Sequence, residues 1–148
     1  MTVQGDFKAL PHPREGRRYF SLAEANRALP YVSRIVEDVR HAYRRASALQ
    51  QRMEHPMPDD DPEHLHADYE KAIRQLNAFV EELNQTGVEL KDYDLGLVDF
   101  PALHDGREVL LCWKRGEEQI VAWHEADAGF AGRQDAALLG DSASDSAG

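Results

Sequence analysis

The chain has 148 residues, 42% of them hydrophobic and 30% charged, which predicts one domain with enough apolar side chains for a real core. Its 27 Asp and Glu against 17 Lys and Arg leave a net charge of -10 with histidine neutral, a field that repels phosphate backbones and disfavours nucleic acid as a partner. The longest run of large apolar residues, Val109 to Trp113, is far below the ~20 that span a bilayer. With no apolar signal-peptide core near the N-terminus, the expected location is cytoplasmic and away from membranes.

Residues 1–18 carry Pro11, Pro13 and Gly16 among scattered charges and read as disordered, as does the small, polar tail 135–148. The ordered domain is expected over 19–134. It opens on Ser21-Leu22-Ala23-Glu24, a capping box that starts a helix. Pro30 lacks a donor and disfavours helical dihedrals at Leu29. The reading is therefore a short helix over 22–28 and a new one over 30–53. Within the latter, Val32, Val36, Val39, Tyr43, Ala46 and Met53 recur in steps of four and three, with Gln50 the one failure, which is a coiled-coil-like heptad seam. The stretch Pro56 to Pro62 breaks the helix, and Asp61-Pro62 is an N-cap followed by an N1 proline. Leu65, Tyr69, Ala72, Leu76, Phe79 and Leu83 continue the rhythm over 62–86, with Gly87 placed as a left-handed C-cap. The first arm is rich in arginine and the second in carboxylates, so charge is expected to set their pairing while the seam supplies most of the stability.

After Gly87 the period shortens to that of strands. Residues 95–103, 108–113 and 119–124 are predicted strands, joined by Gly-containing hairpin connections at Asp105-Gly106 and Gly116. Pro101 cannot donate to a ladder, so the first of these is expected at an edge or to end near Phe100. The fold class is α+β: a long antiparallel helical hairpin, preceded by a short capped helix, on a three-stranded antiparallel meander. Helical arms of about 36 Å outreach strands of about 23 Å. The uncovered seam makes a homodimer through the hairpin the expected assembly.

The densest polar stretch runs from Trp123 to Gln134. His124, Glu125 and Arg133, with Asp99 from the first strand, are the catalytic candidates, since a histidine, carboxylates and an arginine are the side chains of general acid-base sites. Alternation puts His124 and Glu125 on opposite faces, so Glu125 with Asp127 is the better metal pair, and a divalent ion is the cofactor class they admit. The same residues also fit a structural reading in which Arg133 pairs with Glu125 or Asp127 and Phe130 plugs the core. Cys112 reads as a small buried hydrophobe, because the sequence shows no base beside it. It can form no intrachain disulfide and lacks zinc-finger spacing. His55, His64 and His66 lie among aspartates, where adventitious ion binding is the simpler expectation, and the acidic turn Glu54 to Glu70 offers a surface for a basic protein partner.

Tyr19-Phe20-Ser21-Leu22-Ala23-Glu24-Ala25-Asn26 with Leu29-Pro30, Gly87 to Asp92, Gly96 to Ala102, Cys112-Trp113, Trp123-His124-Glu125 and Gly129 to Arg133 occur in order at spacings that resemble the bacterial and archaeal family called domain of unknown function 2203. The resemblance covers nearly all of the ordered region. It implies a domain complete as it stands, marks Asp99, His124, Glu125 and Arg133 as motif positions, and brings no activity with it. Two functional expectations follow from the residues. The first is a self-associating, non-catalytic cytoplasmic interaction protein. The alternative is a small enzyme or divalent-metal-binding protein with a carboxylate, histidine and arginine site at the end of the sheet.

Overall fold

A computed structural model describes residues 16–129 and 132–136 of the chain. The expected disorder of the two ends and the expected core role of Phe130 lie largely or wholly outside these residues. Helix α1 spans Leu22–Glu54 and starts in the predicted way, the Ser21 hydroxyl accepting from the Glu24 amide while the Glu24 carboxylate accepts from the Ser21 amide. The expected interruption at Pro30 does not occur: α1 is one helix of 33 residues. The missing donor and the ring's clash with the preceding turn cost about 3 kcal/mol or more, but Ala25, Leu29, Val32, Val36 and Val39 are all buried along one side. Their continuous packing outweighs that local cost.

Helix α2, Pro62–Gln85, starts on Asp61, whose carboxylate accepts from the Glu63 amide. Beyond its end Gly87 takes φ +92, a left-handed conformation, and a Cβ there would lie 3.1 Å from the Arg18 Cβ. The apolar face of α1 is broader than a heptad seam, with Ile35, Ala42 and Leu49 buried beside the predicted positions. The reason is that α1 packs against α2 and also joins the core of the sheet. Charge does not lace the two arms together as expected. Among the described residues no α1 arginine pairs with an α2 carboxylate. Arg44 binds Asp94 at 2.7 Å, and Arg52 pairs with Asp60 in the interhelical turn.

The sheet has five strands where three were expected: β1 Glu89–Asp92, β2 Leu97–His104, β3 Arg107–Lys114, β4 Ala122–Glu125 and β5 Gln134–Asp135. They lie in chain order, each antiparallel to the next. The two extra strands are the outermost, and they are short and polar, so no apolar alternation announces them. The strand with Pro101 does not end near Phe100. It continues to His104, and the proline is tolerated because the β1 pairing stops at Asp99. On that side the Phe20 amide donates to the Pro101 carbonyl at 2.8 Å, and no donor is demanded of the proline.

Alternation sorts the strand residues onto two faces. Val98, Phe100, Val109, Leu111, Trp113 and Trp123 share one core with α1 and α2. Phe20 closes that core edge-on against Phe100, ring centroids 5.2 Å apart. The opposite face carries Asp99, Cys112 and His124, also buried. No helix among the described residues is long and apolar enough to cross a membrane.

Candidate functional site

The register of the sheet builds the site. Asp105 and Gly106 turn between β2 and β3 with φ of 53 and 76, both left-handed, as a two-residue hairpin turn requires. That turn sets Asp99 directly opposite Cys112. On the other side of β3, His124 is opposite Leu110, one same-face position along from Cys112. The imidazole passes over the middle strand, where the small cysteine leaves it room, and its Nε2 lies 3.1 Å from Asp99 Oδ1. Potential ligand atoms of Asp99, Cys112 and His124 all lie within 4.8 Å of one another. Relative exposures are 2%, 0% and 2%.

The electrostatics follow from this enclosure. His124 Nδ1 lies 2.7 Å from the Glu125 carbonyl oxygen and Nε2 faces the Asp99 carboxylate. Burial alone would lower the histidine below its ordinary value, but the Asp99 hydrogen bond and charge, helped by the Glu125 carbonyl, outweigh it and raise it. Burial, reinforced by the Asp99 charge, pushes the Cys112 thiol up to about 12. Cys112 is therefore a neutral thiol, and neither ring nitrogen of His124 is turned to it as a base. This arrangement does not make an activated cysteine nucleophile.

A cavity of about 180 Å³ opens over these three residues, with Lys91, Leu97 and Leu110 on its walls. Ala126 and Gly129, in the turn after β4, form a further part of the lining.

The remaining candidates lie elsewhere. Glu125 points to the other side of β4 and pairs with Arg107. Asp127 is exposed in the turn after β4, and Arg133 binds Glu117 at 2.8 Å. His64 and His66 are exposed and face carboxylates of their own helix region, Asp61 and Glu70. The structure thus brings Asp99 and His124 together and leaves Glu125, Asp127 and Arg133 outside the cluster. Two residues absent from the sequence-derived site join it, Cys112 and Lys91. The first was legible in principle: an Asp-Gly turn between His104 and Arg107 implies the register that pairs positions 99 and 112.

No curated protein and no solved structure matches the chain. A family model described as "Uncharacterized conserved protein (DUF2203)" matches residues 18–136, both helices and all five strands, and the chain belongs to that family.

Proposed function

We propose that the protein binds a divalent transition metal, zinc being the best match, through Asp99, Cys112 and His124, and uses the ion's remaining position for chemistry on a small molecule. The observation that carries this reading is the convergence of an oxygen, a sulfur and a nitrogen ligand from three adjacent strands on the floor of one cavity. Zinc takes this donor set, and three protein ligands with one open position is the pattern of catalytic zinc sites. Tetrahedral bonds of 2.0–2.3 Å put ligand atoms about 3.5 Å apart; His124 Nε2 and Asp99 Oδ1, at 3.1 Å, are already that close, and no pair in the cluster is more than 4.8 Å apart.

The second layer fits as well. The Nδ1–H of His124 donates to the Glu125 carbonyl, an outer partner that fixes the tautomer and leaves Nε2 for the ion. On loading, Nε2 and the Cys112 thiol give up their protons, and the positive charge replaces the proton now held between His124 and Asp99. A zinc ion supplies a bound water acidified to near neutrality, hence a nucleophile for hydrolysis.

The test is metal content by mass spectrometry on tag-free protein, before and after incubation with zinc and removal of excess. Near-stoichiometric zinc is expected in the wild type and in the Glu125→Ala, Asp127→Ala double variant. It is expected to be lost in Cys112→Ser and His124→Gln while their circular dichroism is retained. A wild type that takes up no zinc, or a folded Cys112→Ser variant that keeps it, overturns the proposal.

Self-association is a second reading, favoured by the far end of the hairpin. Ala46, Leu49, Leu65 and Ala72 form a cluster separate from the main core, flanked by half-buried Met53, Tyr69 and Ile73. Two helices without a third layer leave that edge incompletely covered, and a second copy would complete a four-helix arrangement. Light scattering checks it: a monomeric mass across micromolar concentrations removes this reading and leaves the metal proposal intact.

A further inference from the structure

We infer that the cavity above Asp99, Cys112 and His124 selects a small carboxylate with an apolar body, its charge held by Lys91. The inference rests on the metal reading for the role of the floor, and on separate observations for the ligand class. Among the described residues lining the cavity, Lys91 is the one with a fixed positive charge. It sits on β1 where the ladder is irregular: Leu90 is opposite Val98 and Asp92 opposite Leu97, so β1 advances two residues while β2 advances one. Bulges of this kind re-aim a side chain and gather beside active sites.

Lys91 is also held in place without being used up. Its Nζ lies 3.2 Å from Glu89 Oε1, which commits one of three ammonium donors. Glu89 is shared with Arg17. Burial would raise the Glu89 carboxyl, but the Arg17 hydrogen bond and the charges of Arg17 and Lys91 hold it below its ordinary value. One carboxylate therefore serves two cations, and Lys91 keeps donors and charge for a ligand.

The apolar part of the lining decides the rest of the molecule. Leu97 and Leu110 are apolar, so a ligand polar at every edge would lose hydrogen bonds to water without replacement. A cavity of 150 Å³ accommodates benzene; at about 180 Å³ this one takes a substituted ring or a short branched chain. Such a ligand would place its carboxylate on Lys91 and its body over the leucines, within reach of the metal's open position.

The experiment uses the full-length, zinc-loaded protein with benzoate and benzamide, which share shape but not charge, and with inorganic phosphate. Binding is followed by calorimetry and by the visible bands of the cobalt-substituted form. Benzoate is expected to bind about tenfold more tightly than benzamide, the size of a hydrogen bond between charged groups, and Lys91→Met is expected to abolish that preference with zinc content unchanged. Lys91 is 44% exposed, so the substitution leaves the core alone. Equal binding of the two probes, a preference that survives Lys91→Met, or phosphate bound more tightly than benzoate overturns the inference. Stoichiometric zinc with no benzoate preference rejects the carboxylate reading alone. Failure to load zinc rejects the metal reading and this one with it.

Discussion

Replacing His124 by leucine in the metal-free protein would leave the Asp99 carboxylate 2% exposed with no cation in salt-bridge contact among the described residues. Removing one partner of a buried pair costs about 3–5 kcal/mol. The carboxylate has one escape, which is to take up a proton. For an aspartate of ordinary solution value this costs about 1.36 × (7 − 3.9), or about 4 kcal/mol, at pH 7, and about 1.5 kcal/mol at pH 5. His124→Leu is thus expected to destabilise by about 3–4 kcal/mol at neutrality; the wild type also gains from proton uptake at His124 until the unfolded imidazole is charged near pH 6.5, so the penalty shrinks by about 1.4 kcal/mol per unit only below that pH. The sign is that of a folded state binding more protons than the unfolded one, so the variant gains relative stability as pH falls. Asp99→Asn behaves differently. The ring can shed its extra proton, keep Nδ1–H on the Glu125 carbonyl, and accept from the new amide at Nε2, for about 1 kcal/mol. The double variant has no buried charge and should recover about 2 kcal/mol relative to His124→Leu. Urea unfolding at pH 7 and pH 5 with chelator present reads all four proteins, and with m of about 1–3 kcal/mol per molar the shifts are large. Equal costs for the two single variants, or a His124→Leu penalty unchanged between the two pH values, would refute the ion-pair description.

Two more outcomes follow. With the Cys112 thiol pushed up to about 12 and fully buried, a thiol reagent too bulky for the cavity of about 180 Å³ should react at pH 8 with metal-free folded protein no faster than the protein unfolds, and at once in denaturant; rapid labelling of the native state by such a reagent would contradict the burial. Pro30→Ala should raise stability by about 1–3 kcal/mol, since Pro30 is exposed inside a continuous helix; a lower melting temperature would mean that the proline contributes a contact the helix needs.

The parts of the fold written in apolar rhythm were legible. Both helical seams, the capping box at Ser21 and the Gly87 stop are local signals with one dominant physical cause each. Pro30 misleads because a local rule worth about 3 kcal/mol or more is outweighed by tertiary packing invisible from the neighbouring residues. The outer strands escape notice because β1, Glu-Leu-Lys-Asp, and β5, Gln-Asp, are held by backbone pairing to an existing ladder and need no apolar face of their own. For the site, face alternation separated His124 from Glu125, and the structure keeps that separation. It also favoured Glu125 with Asp127, where the chain instead turns and Arg107 takes the Glu125 carboxylate. Cys112 has no ligand-type neighbour along the chain; Asp99 and His124 come to it across the sheet, from β2 and β4.

From Lys91 to His124 the cluster and its cavity wall come from one short meander in which every strand pairs with its sequence neighbour. Loop closure for such a set is cheap and fast. Synthesis runs in the other direction: both helices are made before any strand of the sheet, so Leu29, Val32 and Val36 emerge with an apolar side that only the later residues cover. Until then the nascent hairpin is a sticky, half-dressed species of the kind that chaperones hold. An ion captured by Asp99, Cys112 and His124 on β2, β3 and β4 would favour the finished sheet, tying its completion to the supply of metal.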